Sequence, residues 1–200
     1  MKSAPETKRT YSRAATEEAL MDAALQLLER DGILVGINMQ EVADEAGVNR
    51  GLIHHYFGSR RTLLRAALER GMRIALPEAT RRRKLDPNDK GTRQFNDYVR
   101  DYPGFPRLIA LLALDGDPRL KPFPFAAERL EDYERERADG RFASDVDIEA
   151  LMTAWDATLI GYSIIRSAAS RQLRIPKREL DRRVLAILGR QVQALRARRP

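Results

Sequence analysis

The chain of 200 residues contains no cysteine, two histidines and one tryptophan, and aromatic residues make up only 6% of it. Without cysteine there is no disulfide framework and no thiolate metal site. No apolar run approaches the ~20 residues of a membrane-spanning helix, so no membrane partner is expected. The opening stretch MKSAPETKRTYSRAATEEAL is polar and basic with no apolar segment behind it. It therefore does not read as a secretory signal, and the cytoplasm is the simplest home. Alternating strand patterns and Asn-Gly hairpin turns are missing. So are a glycine-rich phosphate loop and a nucleophile motif, and both histidines sit side by side in one short segment. Nothing here suggests an enzyme, a cofactor or a bound metal.

What is present is charge, unevenly placed. Hydrophobic residues make up 43% of the chain and charged ones 32%, with a net charge of +7. From Ala14 to Glu45 eight acids stand against Arg30, a net of −7. From Ala46 to Arg73 six arginines stand against Glu69, a net of +5, and the tail to Arg13 adds +3. A basic tail and a basic block of this kind point to a polyanion partner.

Helical periodicity runs through nearly the whole chain and predicts an all-α protein of about nine helices. Thr16 is a candidate cap for a first helix with Leu20, Ala23, Ala24, Leu27 and Leu28 inward, ending at Gly32. Asn38 opens a short helix, with Glu41 placed for a capping box, that stops at Gly47. A further helix spans Asn49 to about Tyr56. Ser59 then caps a longer one, running to about Leu76 before Pro77, with Leu63, Leu64, Ala67, Leu68, Met72 and Ala75 inward. Beyond the break at Pro87 to Gly91, helices are expected near 90–101, 104–114, 123–138, 146–173 and 177–197. The last two should be the longest, with Gly140 and Ser144 marking one boundary and Pro176 the other.

The stretch NMQEVADEAGVNRGLIHHYF combines Val42, Val48, Ile53 and Tyr56 as apolar positions, a small Ala43, and Gly47 where a tight turn needs a left-handed residue. That spacing is a helix-turn-helix. On its second helix Asn49, Arg50, Gly51, His54 and His55 face outward, where such a motif meets the DNA major groove. Adjacent helical residues lie about 100° apart, so His54 and His55 do not share a metal, which takes histidines at i, i+4. Two readings remain for them: contact with phosphate or base edges through their N–H donors, or two surface histidines without a role.

LMDAALQLLERDGILVGINMQEVADEAGVNRGLIHHYFGSRRTLLRAAL closely resembles the N-terminal domain of the TetR family of transcriptional regulators, over about 50 residues without a gap. The resemblance implies a flexible basic tail over 1–13, a three-helix DNA-binding domain over 14–58, and a helical ligand-binding and dimerisation domain over 59–200. It implies that Asn38 and its helix N-terminus bind a backbone phosphate. Arg50 and Gly51 would begin the recognition helix. Tyr56 would hydrogen-bond phosphate or simply pack in the core, and Arg60 would stand where the family has a phosphate-binding lysine. This chain departs from the family at Leu52, usually Thr or Ser; at His54, usually tyrosine; and at Arg61 and Thr62, usually acids. Leu52 offers methyl groups to a thymine in place of a hydroxyl.

A single helix-turn-helix reads few base pairs, whereas two on a two-fold axis read a palindrome. The resemblance assigns dimerisation to the last two helices. Ile148, Met152, Leu159, Ile165, Leu180, Val184, Ile187, Leu188, Val192 and Leu195 could serve a dimer bundle or the chain's own core. Tyr98, Tyr102, Phe105, Phe123, Phe125, Trp155 and Tyr162, with Thr158 as a polar handle, could line a cavity for a small apolar or amphipathic effector, or could fill the core. The resulting expectation is a homodimeric repressor of a palindromic operator in double-stranded DNA, released by an effector, with the helix from Ser59 as the lever. The alternative is a DNA-binding protein of the same fold without a small effector.

Overall fold

The computed structural model of the protein describes residues 12–31, 37–82, 94–123 and 125–195. Nine helices lie among them: α1 Arg13–Asp31, α2 Met39–Glu45, α3 Gly51–Phe57, α4 Arg60–Arg82, a π-helical α5 Asn96–Asp101, α6 Gly104–Leu114, α7 Ala126–Ala138, α8 Ile148–Leu173 and α9 Lys177–Ala194. The all-α expectation holds. The chain divides into two compact units between Gly71 and Met72, inside α4.

In the first unit the expected stripe of α1, Leu20, Ala23, Ala24, Leu27 and Leu28, is buried. So are Val42 and Ala43 of α2, Ile53 of α3, and Leu63, Leu64, Ala67 and Leu68 of α4. Each such leucine removed from water contributes about 1.5–3 kcal/mol. Three ion pairs tie helices of this unit together, Arg70 of α4 with Glu18 and with Asp22 of α1, and Arg30 of α1 with Glu45 of α2. Thr16 is not the cap of α1. The helix begins one turn earlier, where the Ser12 hydroxyl accepts from the Ala15 N–H, and Thr16 is buried with its hydroxyl donating back to the Ser12 carbonyl. Ser12 is an equally good cap, and starting there lets Thr16 bury. Residues 1–11 of the expected tail and the expected stop at Gly32 lie outside the described residues.

The helix from Ser59 does not end at Leu76. It passes Pro77 and continues to Arg82, although an interior proline removes one N–H donor and crowds the preceding turn. With 23 residues α4 is longer than α9 with 18, so of the last two helices only α8, with 26, is among the two longest.

In the second unit, helices α6 to α9 follow the expected segments with trimmed ends. α7 starts at Ala126 and not at 123 because Pro124 disfavours helix at Phe123 and Phe125 adopts a left-handed φ of 54°. α8 is capped by Asp147, which accepts from the Ala150 N–H at 2.8 Å, in place of Ser144. The core gathers Phe95, Tyr98, Val99, Leu159, Tyr162, Leu180 and Leu188. A buried carboxylate locks it. Asp181 of α9 accepts from Arg166 of α8 at 2.7 and 2.6 Å and from the Tyr162 hydroxyl at 2.9 Å, while Arg166 also donates to the Val99 carbonyl of α5. Burial alone would push the Asp181 carboxyl up, but the hydrogen bonds from Arg166 and Tyr162 outweigh it and hold the group below the usual carboxylate range.

The shared stripe of α8 and α9 now divides. Ile148, Met152, Leu159, Leu180 and Leu188 are buried within the chain, whereas Ile165, Ile187 and Leu195 are exposed. No helix among the described residues is long and apolar enough to cross a membrane.

Candidate functional site

The turn between α2 and α3 is built by a few residues. The Asn38 side chain accepts from the Gln40 N–H at 2.8 Å and starts α2; this bond goes to the second helical residue, not to Glu41 as a capping box requires. At the other end Gly47 sits at φ +67°, with its N–H bonded to the Asp44 carbonyl and the Val48 N–H bonded to the Ala43 carbonyl. This is a Schellman ending, and it reverses the chain within two residues. Asn49 then starts α3 by accepting from the Gly51 N–H at 2.7 Å. A side-chain carbon at Gly51 would lie 3.1 Å from that same Asn49 oxygen, so a larger residue there would have to press the capping side chain aside.

With Ile53 turned into the core, Asn49, Arg50, Gly51, His54 and His55 are all exposed, and Leu52 and Tyr56 are half-buried. Arg50, Gly51, His54 and Arg60 come together around an open depression of about 380 Å³ whose floor includes Met39 and Ile53. Ser59 also lines it and caps α4, accepting from the Thr62 N–H at 3.2 Å. Two guanidinium groups, an imidazole and the positive end of a 23-residue helix thus border one concave surface. Such a surface suits the oxygens of a phosphate backbone. Asn38 and Asn49 are engaged with the backbone as caps.

His55 and Tyr56 form a second group. Their rings meet edge to face at 5.0 Å, and the Arg13 guanidinium lies over the Tyr56 ring at 5.5 Å while pairing with Glu17 at 2.8 Å. Sequence reasoning missed Arg13 and Ser59 at this surface. Arg13 carried a signal as the last base of the tail, but its position over Tyr56 is a tertiary contact that no spacing reveals.

The aromatic residues expected at an effector cavity are distributed unequally. Tyr98, Phe105 and Tyr162 are buried, Trp155, Tyr102 and Phe123 are half-buried, and Phe125 and Thr158 are exposed. Tyr102 stacks on Phe105 at 5.5 Å and Phe95 on Tyr162 at 5.8 Å. Tyr98, Trp155 and Tyr162 share the core of the second unit, whereas the Thr158 hydroxyl donates to its own helix at the Ala154 carbonyl. Sequence reasoning also missed the ionic partners of this region, Arg129 with Asp156 and Arg166 with Asp181.

Residues 20–67 match a family model described as bacterial regulatory proteins, tetR family. Over 47 residues the chain is 49% identical to the HTH-type transcriptional regulator BetI of Agrobacterium fabrum, a match covering 24% of this chain and 22% of that protein. It is 32% identical over 129 residues to the HTH-type transcriptional repressor SCO4008 of Streptomyces coelicolor, covering 62% of each. The matches therefore span less than two thirds of these relatives. The fold extends further. A putative TetR-family transcriptional regulator from Rhodococcus superposes with a TM-score of 0.64 at 19% identity, over 88% of this chain and 97% of that one. The putative transcriptional regulator SCO4942 of Streptomyces coelicolor does so with a TM-score of 0.62 at 24% identity and the same coverage. The helix-turn-helix segment over residues 20–67 is thus similar to that of the tetR family of bacterial regulatory proteins, and the all-helical fold is similar to that of these solved structures.

Proposed function

We propose that the protein is a homodimeric DNA-binding transcriptional regulator that represses from a palindromic operator and is released by a small apolar or amphipathic effector. The observation that carries the DNA-binding part is the α2–turn–α3 unit with Arg50, His54 and Arg60 bordering one exposed depression. In this reading Arg50, Gly51 and Leu52 meet base edges, and Asn38, Asn49, His54, His55, Tyr56 and Arg60 meet the backbone.

Two-fold assembly is supported by an unfilled face of α8. Ala154, Ala157, Thr158, Gly161, Ile164, Ile165 and Ala168 are exposed or half-buried and recur at helical spacing, and α9 adds Ile187. Small residues flanked by isoleucines let a second copy of the same face approach closely. Effector control is supported by buried hydrogen-bonding groups left without partners in the second unit, Tyr98 and Trp155 among them. The effector-free alternative draws on Phe105 and Tyr162, which fill the interior themselves. Release needs only an effector that prefers the conformation weaker for DNA, with a coupling of ~1–3 kcal/mol.

Sedimentation equilibrium with and without an operator duplex tests the assembly. The expected mass is twice the 22.8 kDa of one chain without DNA, and that mass plus the mass of the duplex on DNA. A monomer that binds the duplex with full affinity refutes the two-fold reading.

A further inference from the structure

The second unit holds a polar cluster that DNA binding does not use. Asp156 of α8 is completely buried, and its carboxylate accepts from the Arg129 guanidinium of α7 at 2.7 and 3.0 Å and from the side-chain amide of Gln94. That pair is neutral overall and its carboxylate is satisfied. Its surroundings are not. The Tyr98 hydroxyl, the Trp155 indole N–H and the Asn96 side-chain oxygen are buried without a hydrogen-bond partner among the described residues. Leaving a buried donor unpaired costs more than the bond returns when made, so native proteins keep few such groups without a reason. Tyr98 is 1% exposed, and burial, then the Asp156 charge, raise its hydroxyl well above the phenol range, so it stays a neutral O–H donor.

Two features of the backbone mark the same place. Asn96 and Tyr98 belong to the π-helical α5, a form that recurs at functional sites. α7, which delivers Arg129, contributes no buried side chain and is entered through Phe125 in a left-handed conformation. Its ties are the Arg129 ion pair and the Tyr133 ring, which meets Phe142 edge to face at 6.2 Å.

We propose that this cluster is the head-group subsite of the effector, that it takes a neutral acceptor such as the carbonyl of an ester, ketone or amide on an otherwise apolar molecule, and that α7 is the wall that yields on entry. The proposal deepens the effector reading above and rests on it. A carbonyl oxygen accepts from the free Tyr98 O–H, and Trp155, packed against the same core cluster with its own N–H unpaired, lies close enough to report its arrival. A carboxylate would bring a second negative charge beside Asp156, whose countercharge, Arg129, is already engaged. An ammonium would find the Asp156 oxygens occupied by Arg129 and Gln94. The apolar part of the molecule would lie against Phe95, Val99 and Leu159.

The test uses the full chain and a matched pair of probes, methyl phenylacetate and phenylacetate, followed by the fluorescence of Trp155, the sole tryptophan. The ester should bind at least about tenfold more tightly than the acid, and Tyr98→Phe should weaken it about tenfold. Because the hydroxyl is unpaired in the free protein, Tyr98→Phe should melt at the same temperature as the parent or higher. Equal or tighter binding of phenylacetate overturns the proposal, as does absence of any Trp155 response to the ester up to its solubility limit. A lower melting temperature for Tyr98→Phe also overturns it, since the hydroxyl would then be a structural bond. None of these readouts involves DNA; release of a duplex by the ester, measured separately, decides the effector reading itself.

Discussion

Replacing Arg50 and Arg60 by alanine, one at a time, separates the reading of bases from the holding of phosphates. Both side chains are exposed, both border the same depression, and neither donates a hydrogen bond to another described residue. Removing either leaves no protein group unpaired, so the change in folding stability should stay within about 0.5 kcal/mol. Any weakening of DNA binding then reports the protein–DNA interaction itself. Arg50 opens α3; if its guanidinium meets guanine in two-point contact as proposed, its removal should cost ~1–3 kcal/mol, roughly 5- to 150-fold, at one position of each half-site. Affinity for unrelated duplex should change little. Arg60 stands at the positive start of α4, and its removal should weaken all duplexes alike. It should also reduce the slope of log affinity against log salt by about 0.9 for each phosphate that is no longer neutralised. Fluorescence anisotropy on an operator and on random duplex, at several salt concentrations, measures both effects. If the two variants weaken specific and nonspecific binding in the same proportion, the division of roles is wrong.

His54→Ala combined with His55→Ala should weaken DNA binding about tenfold by removing N–H donors from the exposed face of α3; unchanged affinity in fluorescence anisotropy would leave the pair without a role. Gly47→Ala should cost about 1 kcal/mol in urea unfolding, because its φ of +67° is strained for an L residue while no atom lies within 4 Å of the added carbon; no loss would mean that the turn takes another conformation. Asp181→Asn should cost about 3 kcal/mol by leaving Arg166 half-buried without its countercharge, as calorimetry would show. The same carboxyl is held below its unfolded value near ~3.9, so its contribution is complete above that pH and is lost as pH falls through the folded value. Asp181→Asn should therefore soften acid unfolding, and an identical acid limb would refute the linkage.

The DNA-reading motif was legible because its determinants are local. Asn38, Ala43, Gly47 and Ile53 act through caps, one turn and one helix face, all within sixteen residues of sequence. Ser12 and Thr16 were harder to separate because both can cap a helix and lie one turn apart; burial of Thr16 decided it. Pro77 suggested a stop because proline usually breaks helices, and the tolerance of α4 for one missing donor is not written in the dipeptide. The ionic cores of the second unit were illegible for a different reason. Asp156 and Asp181 look like solvated charges along α8 and α9, and only their pairing with Arg129 and Arg166, 27 and 15 residues away, offsets the cost of burial. The division of the α8 and α9 stripes into inward Leu159 and Leu188 and outward Ile165 and Ile187 likewise depended on how the two helices are rotated in the fold.

The central claim, that two copies of this helix-turn-helix read a palindrome, is tested most directly by selecting bound duplexes from a random pool with the full chain and footprinting the product. The account predicts enrichment of an inverted repeat whose half-sites are centred about 10–10.5 base pairs apart, or a multiple of that, each protected by one protomer. Recovery of duplexes with no shared sequence, or of a single half-site bound by one chain, would contradict it.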